Sequence, residues 1–265
     1  MIDAYLERIG LSYASINKLD AMETLSLLHS SHLYSIPFEN LDIHLARPLR
    51  LETNALFEKI IQQRRGGFCY ELNALFAEFL KALGLTTELI SAQVFQGEDY
   101  TPEFDHLCLL VRIDQRHYLA DVGFGDNFIE PIELRSHEID DGAYQFRLAQ
   151  IGDYWVLSRS QTGTEWQIMY RFKTRAHQLS EFEARCNYHQ NNPESNFKKK
   201  VIASIARPNG RFSLSNDRQI LRQALLKEEE AIPDAFTYAF LLEQAMGICL
   251  SEAELQTLWH IIKPD

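Results

Sequence analysis

The run Arg64-Arg65-Gly66-Gly67-Phe68-Cys69-Tyr70-Glu71-Leu72-Asn73 joins a basic pair, two glycines and a cysteine to an apolar-periodic stretch. Leu72, Leu75, Phe76, Phe79, Leu80 and Leu83 recur at spacings of three and four, which predicts an amphipathic helix ending at Gly84. Cys69 then falls in the first helical turn, where unpaired backbone N–H groups and the positive end of the dipole favour an anion. A thiol so placed, with a histidine partner, can ionise below its free pKa of ~8.5 and serve as a nucleophile. The glycines let the backbone approach a substrate closely and adopt dihedrals that other residues avoid. Position alone also fits the inert alternative, a free cysteine buried as core filler.

A thiolate nucleophile needs a base within reach, and the base needs an orienting partner. Of nine histidines, His106 stands out because it heads the apolar run Leu107-Cys108-Leu109-Leu110-Val111 just after a polar loop. Asp121 ends the next strand and precedes glycines. With a two-residue turn at Asp114-Gln115, His106 lies opposite Gly123, and Asp121 is its diagonal neighbour on the same face, a separation of ~7–8 Å. A three-residue turn would put the two on opposite faces. Metal ligation has little support: His29 and His32 share a helix face, and Cys186 and His189 have half a finger-like spacing, but neither completes a ligand set. There is no G-x-G-x-x-G and no Walker loop.

The string R-G-G-F-C-Y-E-L-N resembles the R-G-G-x-C-x-E-x-N signature of the arylamine N-acetyltransferases. Ile36-Pro37-Phe38-Glu39-Asn40-Leu41-Asp42, Asp105-His106-Leu107 and Ala120-Asp121-Val122-Gly123-Phe124-Gly125 support it in order and separation. The resemblance runs from Tyr5 to the C-terminal helix. It implies a Cys–His–Asp triad on Cys69, His106 and Asp121, with Arg65 and Glu39 as a structural pair bracing the Gly66-Gly67 turn. It also implies that Phe38, Val94 and Phe124 line an acceptor pocket. Asp126 departs from the pattern, standing where relatives often carry a small residue; a carboxylate there could narrow the entry or disfavour anionic acceptors, and the sequence does not specify its effect on the pocket. The implied reaction is ping-pong transfer of acetyl from acetyl-CoA, through a Cys69 thioester, to an arylamine, arylhydrazine or arylhydroxylamine. Acetyl-CoA enters as a substrate, and no permanently bound cofactor or metal is implied. The backbone N–H of Cys69 is the first candidate oxyanion donor. Alternatives on the same triad are an amide synthase releasing a carrier-bound polyketide and a thiol hydrolase or transglutaminase-like enzyme. A further alternative is a non-enzymatic binder.

The elements that must position these residues are legible as three segments. Residues 1–85 read as a helical bundle carrying the cysteine. The bundle includes a capping box at Asp20–Glu23, a helix over Thr53 to Gln63, and a break at Pro37. Residues 86–186 read as an antiparallel, barrel-like sheet carrying the histidine and aspartate, with strands at 86–95, 106–113, 116–122, 144–150, 154–159 and 165–172. Residues 187–265 read as an α/β lid, with a hairpin at Pro208-Asn209-Gly210 and helices at Asp217–Lys227, Pro233–Met246 and Ser251–Ile262. The fold class expected is α/β (α+β), with a cysteine-protease or transglutaminase-like core.

Composition fits that reading. The chain has 265 residues, 46% hydrophobic and 24% charged, as in an ordinary globular protein with a substantial core. A net charge of −11 argues against nucleic-acid or anionic-membrane partners. Lys198-Lys199-Lys200 is the basic run of note, either a solvated helix face or a dock for a coenzyme A phosphate. Four irregularly spaced cysteines argue against a disulfide framework, and no signal peptide or membrane-spanning run is evident. These features predict a cytoplasmic protein. The sequence does not specify the oligomeric state.

Overall fold

The computed structural model describes residues 1–141, 144–223 and 226–263. The N-terminal helices are α1 (Ile2–Arg8), α2 (Tyr13–Ile16), α3 (Ala21–Ser35), α4 (Leu41–His44), α5 (Thr53–Phe57) and α6 (Cys69–Ala82). Asp20 caps α3 as predicted: its carboxylate accepts the Glu23 N–H at 2.8 Å, and Glu23 accepts the Asp20 N–H at 3.0 Å. The helix expected over Thr53 to Gln63 is α5 followed by a wider π-turn, Glu58–Gln62. That turn carries Lys59 into a buried ion network, with its Nζ 2.8 Å from Asp42 and 2.7 Å from Glu71. α6 ends where expected, with Gly84 in the left-handed region at φ +87°.

Between them lies β1 (Phe38–Glu39), and after α6 come β2 (Thr86–Val94), β3 (His106–Ile113), β4 (Arg116–Ala120), β5 (Ile132–Glu133), β6 (His137–Asp140), β7 (Gln145–Ile151), β8 (Tyr154–Ser160) and β9 (Gln167–His177). β2 to β9 form one eight-stranded antiparallel sheet in the order β5-β4-β3-β2-β9-β8-β7-β6. Its two edge strands are β5 and β6, joined by residues 134–136, so the sheet curls into a nearly closed barrel. The short β5 and β6 were not legible in the sequence. The β3–β4 turn is the two-residue form, pairing Ile113 with Arg116, and Asp114 takes φ +54°. Leu107, Leu109 and Val111 face α6 and its neighbours, whereas Cys108 and Leu110 face the barrel interior. That double burial explains why β3 reads as an unbroken apolar run.

The chain continues through α7 (Glu183–Asn191) and α8 (Asn196–Lys199) into β10 (Ile202–Arg207), β11 (Gly210–Ser215), β12 (Arg218–Gln223) and β13 (Leu226–Ala231). It ends with α9 (Ala235–Met246) and α10 (Glu252–Ile262). The step from 186 to 187 lies inside α7. The Pro208-Asn209 hairpin forms as predicted, pairing Arg207 with Gly210. The helix expected at Asp217–Lys227 is instead the hairpin β12–β13; residues 224 and 225 of that expectation lie outside the described residues. Leu, Gln, Arg, Lys and Glu favour helix locally, but β11 offers an open hydrogen-bonding edge, and pairing Gly210–Ser215 with Arg218–Gln223 satisfies six residues at once. Pro233 precedes α9 rather than opening it, because Asp234 takes the cap and accepts the Thr237 N–H at 2.7 Å. Ser251 caps α10 as expected. β1 joins this second sheet, with Phe38 opposite Ser204 and Glu39 opposite Ala203.

Candidate active site

Cys69 is the first residue of α6 and is buried, 3% exposed. The Phe68 N–H just before it is bound by Glu71 Oε2 at 3.1 Å, and Lys59 holds that carboxylate. The Gly66-Gly67 pair is needed for close approach and has no left-handed backbone; the positive φ of this turn falls on Arg64. A Cβ on Gly66 would lie 2.0 Å from the Pro37 carbonyl oxygen, and one on Gly67 would lie 2.8 Å from Glu71. Arg65 grips the opposite loop, with Nε 3.0 Å from Glu39 Oε1 and Nη2 2.9 Å from Asp42. The Arg65 and Glu39 side chains are only 6% and 0% exposed, so this is no weak surface pair. Burial alone would raise the Asp42 carboxyl, but Lys59 and Arg65 overcome it and hold the group below its ordinary range.

His106 Nε2 lies 2.8 Å from Asp121 Oδ2. Asp121 is fully buried and accepts four further bonds: from Asn73 Nδ2 (2.9 Å), the Gly123 N–H (3.0 Å), Asn127 Nδ2 (2.9 Å) and the Tyr170 hydroxyl (3.0 Å). Burial opposes its charge, yet His106 and these donors hold its carboxyl below the ordinary value. The Asp121 N–H is itself bound by His29 Nε2 at 3.0 Å, and His29 Nδ1–H donates to the Ile129 carbonyl at 2.7 Å. Burial pushes His29 down to about 4, so the ring stays neutral and can accept. His32 pairs with the Tyr5 hydroxyl at 2.6 Å. Among the described residues, no cluster of His, Cys, Asp or Glu is arranged to hold a metal.

Asn73 ties the two halves together. One turn beyond Cys69, it bonds Asp121, the Leu107 carbonyl (2.7 Å) and the Val122 N–H (3.0 Å). A Cβ on Gly123 would sit 2.7 Å from Cys69 Cα, so glycine lets the 121–125 turn rest directly on the start of α6. Cys69 and His106 thus open onto one cavity of about 770 Å³, which Phe38, Val94 and Phe124 also line. Residues of α7 and α8 and just beyond also line it, among them Arg185, His189, Lys199 and Lys200. Burial pushes the Cys69 thiol well up; a backbone hydrogen bond at Leu107 opposes this, and Asp121 and Asp105 reinforce it.

Asp126 is not where the sequence suggested. It turns away from this cavity to meet Arg159, Arg211 and Arg222, so it neither narrows the pocket nor charges it. Sequence reasoning quoted Asn73 without giving it a role, although its four-residue step from Cys69 places both on one helix face. Tyr170, Asn127 and the role of His29 had no local signal: Tyr170 arrives from β9, His29 from α3, and Asn127 folds back from the loop that follows β4.

Residues 21–255 match the family model described as N-acetyltransferase. The chain is 30% identical to the arylamine N-acetyltransferase of Escherichia coli K12 over 259 residues, covering 96% of this chain and 91% of the relative. Its fold superposes on the arylamine N-acetyltransferase of Salmonella typhimurium with a TM-score of 0.91, at 29% identity and 98% coverage of both chains. The Mycobacterium marinum arylamine N-acetyltransferase, in complex with CoA, gives a TM-score of 0.90 at 26% identity, covering 99% of each chain. The cysteine at a helix start, the imidazole–carboxylate pair on the same cavity and these similarities lead to one assignment: the chain belongs to the arylamine N-acetyltransferase family.

Proposed function

We propose that this protein moves an acetyl group from acetyl-CoA to the nitrogen of an aromatic amine, hydrazine or hydroxylamine, in two half-reactions through S-acetyl-Cys69. The observation that carries this reading is the shared cavity of Cys69 and His106, with His106 bonded to a fully buried Asp121. His106 takes the thiol proton, and the sulfur attacks the acetyl carbonyl. The bond from carbonyl to the coenzyme sulfur breaks, and the leaving thiolate collects the proton. The amine then attacks the Cys69 thioester, His106 accepts a proton from its nitrogen, and the thiol is restored. Asp121 fixes the imidazole tautomer and stabilises its cation. The Cys69 N–H, at the first helical position, is the candidate donor to each oxyanion.

Phe38, Val94 and Phe124 supply apolar walls suited to an aromatic ring. Coenzyme A fits the cleft where the barrel meets α7 and α8, with Lys199 and Lys200 on its wall. Arg65, Glu39, Gly66 and Gly67 support the nucleophile without touching substrate. Functionally the chain divides into a thiol-bearing part (1–85), an imidazole-bearing part (86–186) and a covering part (187–265). The reaction needs no resident metal or cofactor and no nucleic acid, and the chain's composition suits the cytoplasm. Among the described residues, no helix is long and apolar enough to cross a membrane. Intact-protein mass spectrometry after mixing with acetyl-CoA tests the reading: one acetyl should appear on Cys69, be discharged by an aryl hydrazine, and be absent in Cys69→Ala. A wild-type mass that stays unchanged refutes it.

A further inference from the structure

Away from Cys69, at the far end of the 123–126 turn, several cationic side chains gather around Asp126. In the register of the second sheet, Arg211 lies opposite Arg222, and Arg222 lies opposite Lys227. Like charges directly across a ladder are destabilising, and here three stand in a row. A fourth cation, Arg159, arrives from β8. Its Nη1 is 2.9 Å from Asp126 Oδ2, while Arg222 Nη1 is 2.6 Å from the same oxygen and Arg211 Nε is 3.4 Å from Oδ1. One carboxylate therefore gathers three guanidiniums, one of them on the buried Arg211. Lys227 has its own partner in Glu229, at 2.8 Å.

Beside this cluster is a cavity of about 350 Å³, lined by Arg159, Arg222, Lys227, Tyr144, Thr162 and Glu165 among others. It shares no lining residue with the Cys69 cavity. Its walls carry three cations and a single carboxylate, Glu165. Among the described residues, the side-chain hydrogen bonds of Arg159 and Arg222 run through Nη1, to Asp126 and the Tyr144 hydroxyl, and the Arg159 guanidinium lies over the Tyr144 ring. The Nε and Nη2 edges are left over, and a guanidinium edge presents paired donors that match a phosphate bidentately.

The geometry points to a phosphate-binding site in this cavity, with Arg159 and Arg222 as forked donors and Lys227 as a point charge. Asp126 pre-orients both arginines by occupying one nitrogen of each, so little side-chain freedom is lost on binding. The phosphate could belong to a free anion or to the adenosine end of the acyl donor, and the site itself does not depend on the acetyl-transfer reading. Pyrophosphate serves as the probe, titrated calorimetrically at constant ionic strength into the wild-type chain and into Cys69→Ala. Saturable one-to-one binding is expected in both, weakened roughly ten- to hundred-fold by Lys227→Gln, as for loss of one charged hydrogen bond. The side chain of Lys227 is half exposed and bonds only Glu229, so that variant should keep the fold. Absence of saturable binding, or equal affinity in Lys227→Gln, overturns the site. If pyrophosphate also raises the acetyl-CoA KM competitively, and acetyl-dephospho-CoA escapes that competition, the bound phosphate is the donor's own. An unmoved KM assigns the site to a free anion. Because binding is read in Cys69→Ala as well, failure of acetyl transfer and failure of this site are separate results.

Discussion

At the scale of single residues, the central tension is that burial works against the charge the mechanism needs. Desolvation pushes the Cys69 thiol up, and the carboxylates of Asp121 and Asp105 add to the effect. Under the proposed mechanism, nucleophilicity depends on His106 taking the thiol proton and serving as its counter-charge. Replacing His106 with Gln removes that counter-charge while keeping a polar side chain. The alkylation rate of Cys69 by iodoacetamide should then titrate above the free-thiol value of ~8.5, whereas the wild type should react fully below it. Identical pH profiles for the two proteins would refute the pair. Much of this was legible in the sequence: the cysteine, the histidine and the aspartate were each marked by the element they begin or end. The role of Asp126 was not legible, because sequence places it two residues after Phe124 but says nothing of three arginines waiting on other strands.

Among elements, the decisive contacts are those that no local pattern announces. The π-turn at Glu58–Gln62 reads as ordinary helix, because a one-residue widening leaves the apolar spacing of Leu56, Phe57, Ile60 and Ile61 nearly unchanged. Its effect is to set Lys59 between Asp42 and Glu71, one from α4, which Arg65 also holds, and one from the first turn of α6. Burial would discharge Lys59, but Glu71, Glu39 and Asp42 together keep it firmly protonated. Lys59→Met should destabilise the fold by about 3–5 kcal/mol in urea titration, the usual loss when one partner of a buried ion network is removed. A change under 1 kcal/mol would show the network to be idle. The β12–β13 hairpin failed in the other direction: strong local helix formers yielded to an unfilled strand edge. Propensity is decided by neighbours, and those neighbours lie outside any sequence window.

For the molecule as a whole, buried neutral histidine sets the pH dependence of stability. His29 is held near 4 in the fold, while an unfolded chain returns it to ~6.5. Above 6.5 both states are neutral at this site and nothing is lost. As pH falls toward 4 the unfolded chain binds a proton that the fold refuses, so stability declines. Between pH 7 and 5, His29 alone should cost about 2 kcal/mol. His32 is also pushed down by burial and adds to the same trend. Urea midpoints measured across that range should fall in the wild type and fall less in His29→Gln; a flat wild-type curve would contradict the assignment. The barrel's existence was legible from its evenly spaced turns, but its curvature and strand order were not, and these bring Tyr170 of β9 onto Asp121. One small feature links all of these layers. The two-residue strand Phe38–Glu39 is stitched to β10 on one side and to Gly67 on the other, with Phe38 on the wall of the Cys69 cavity and Glu39 clasping Arg65. Any breathing of the C-terminal sheet must therefore tug on the cavity wall and on the cysteine's own support in the same motion. Distant substitutions that loosen that sheet should register as altered turnover before they register as unfolding.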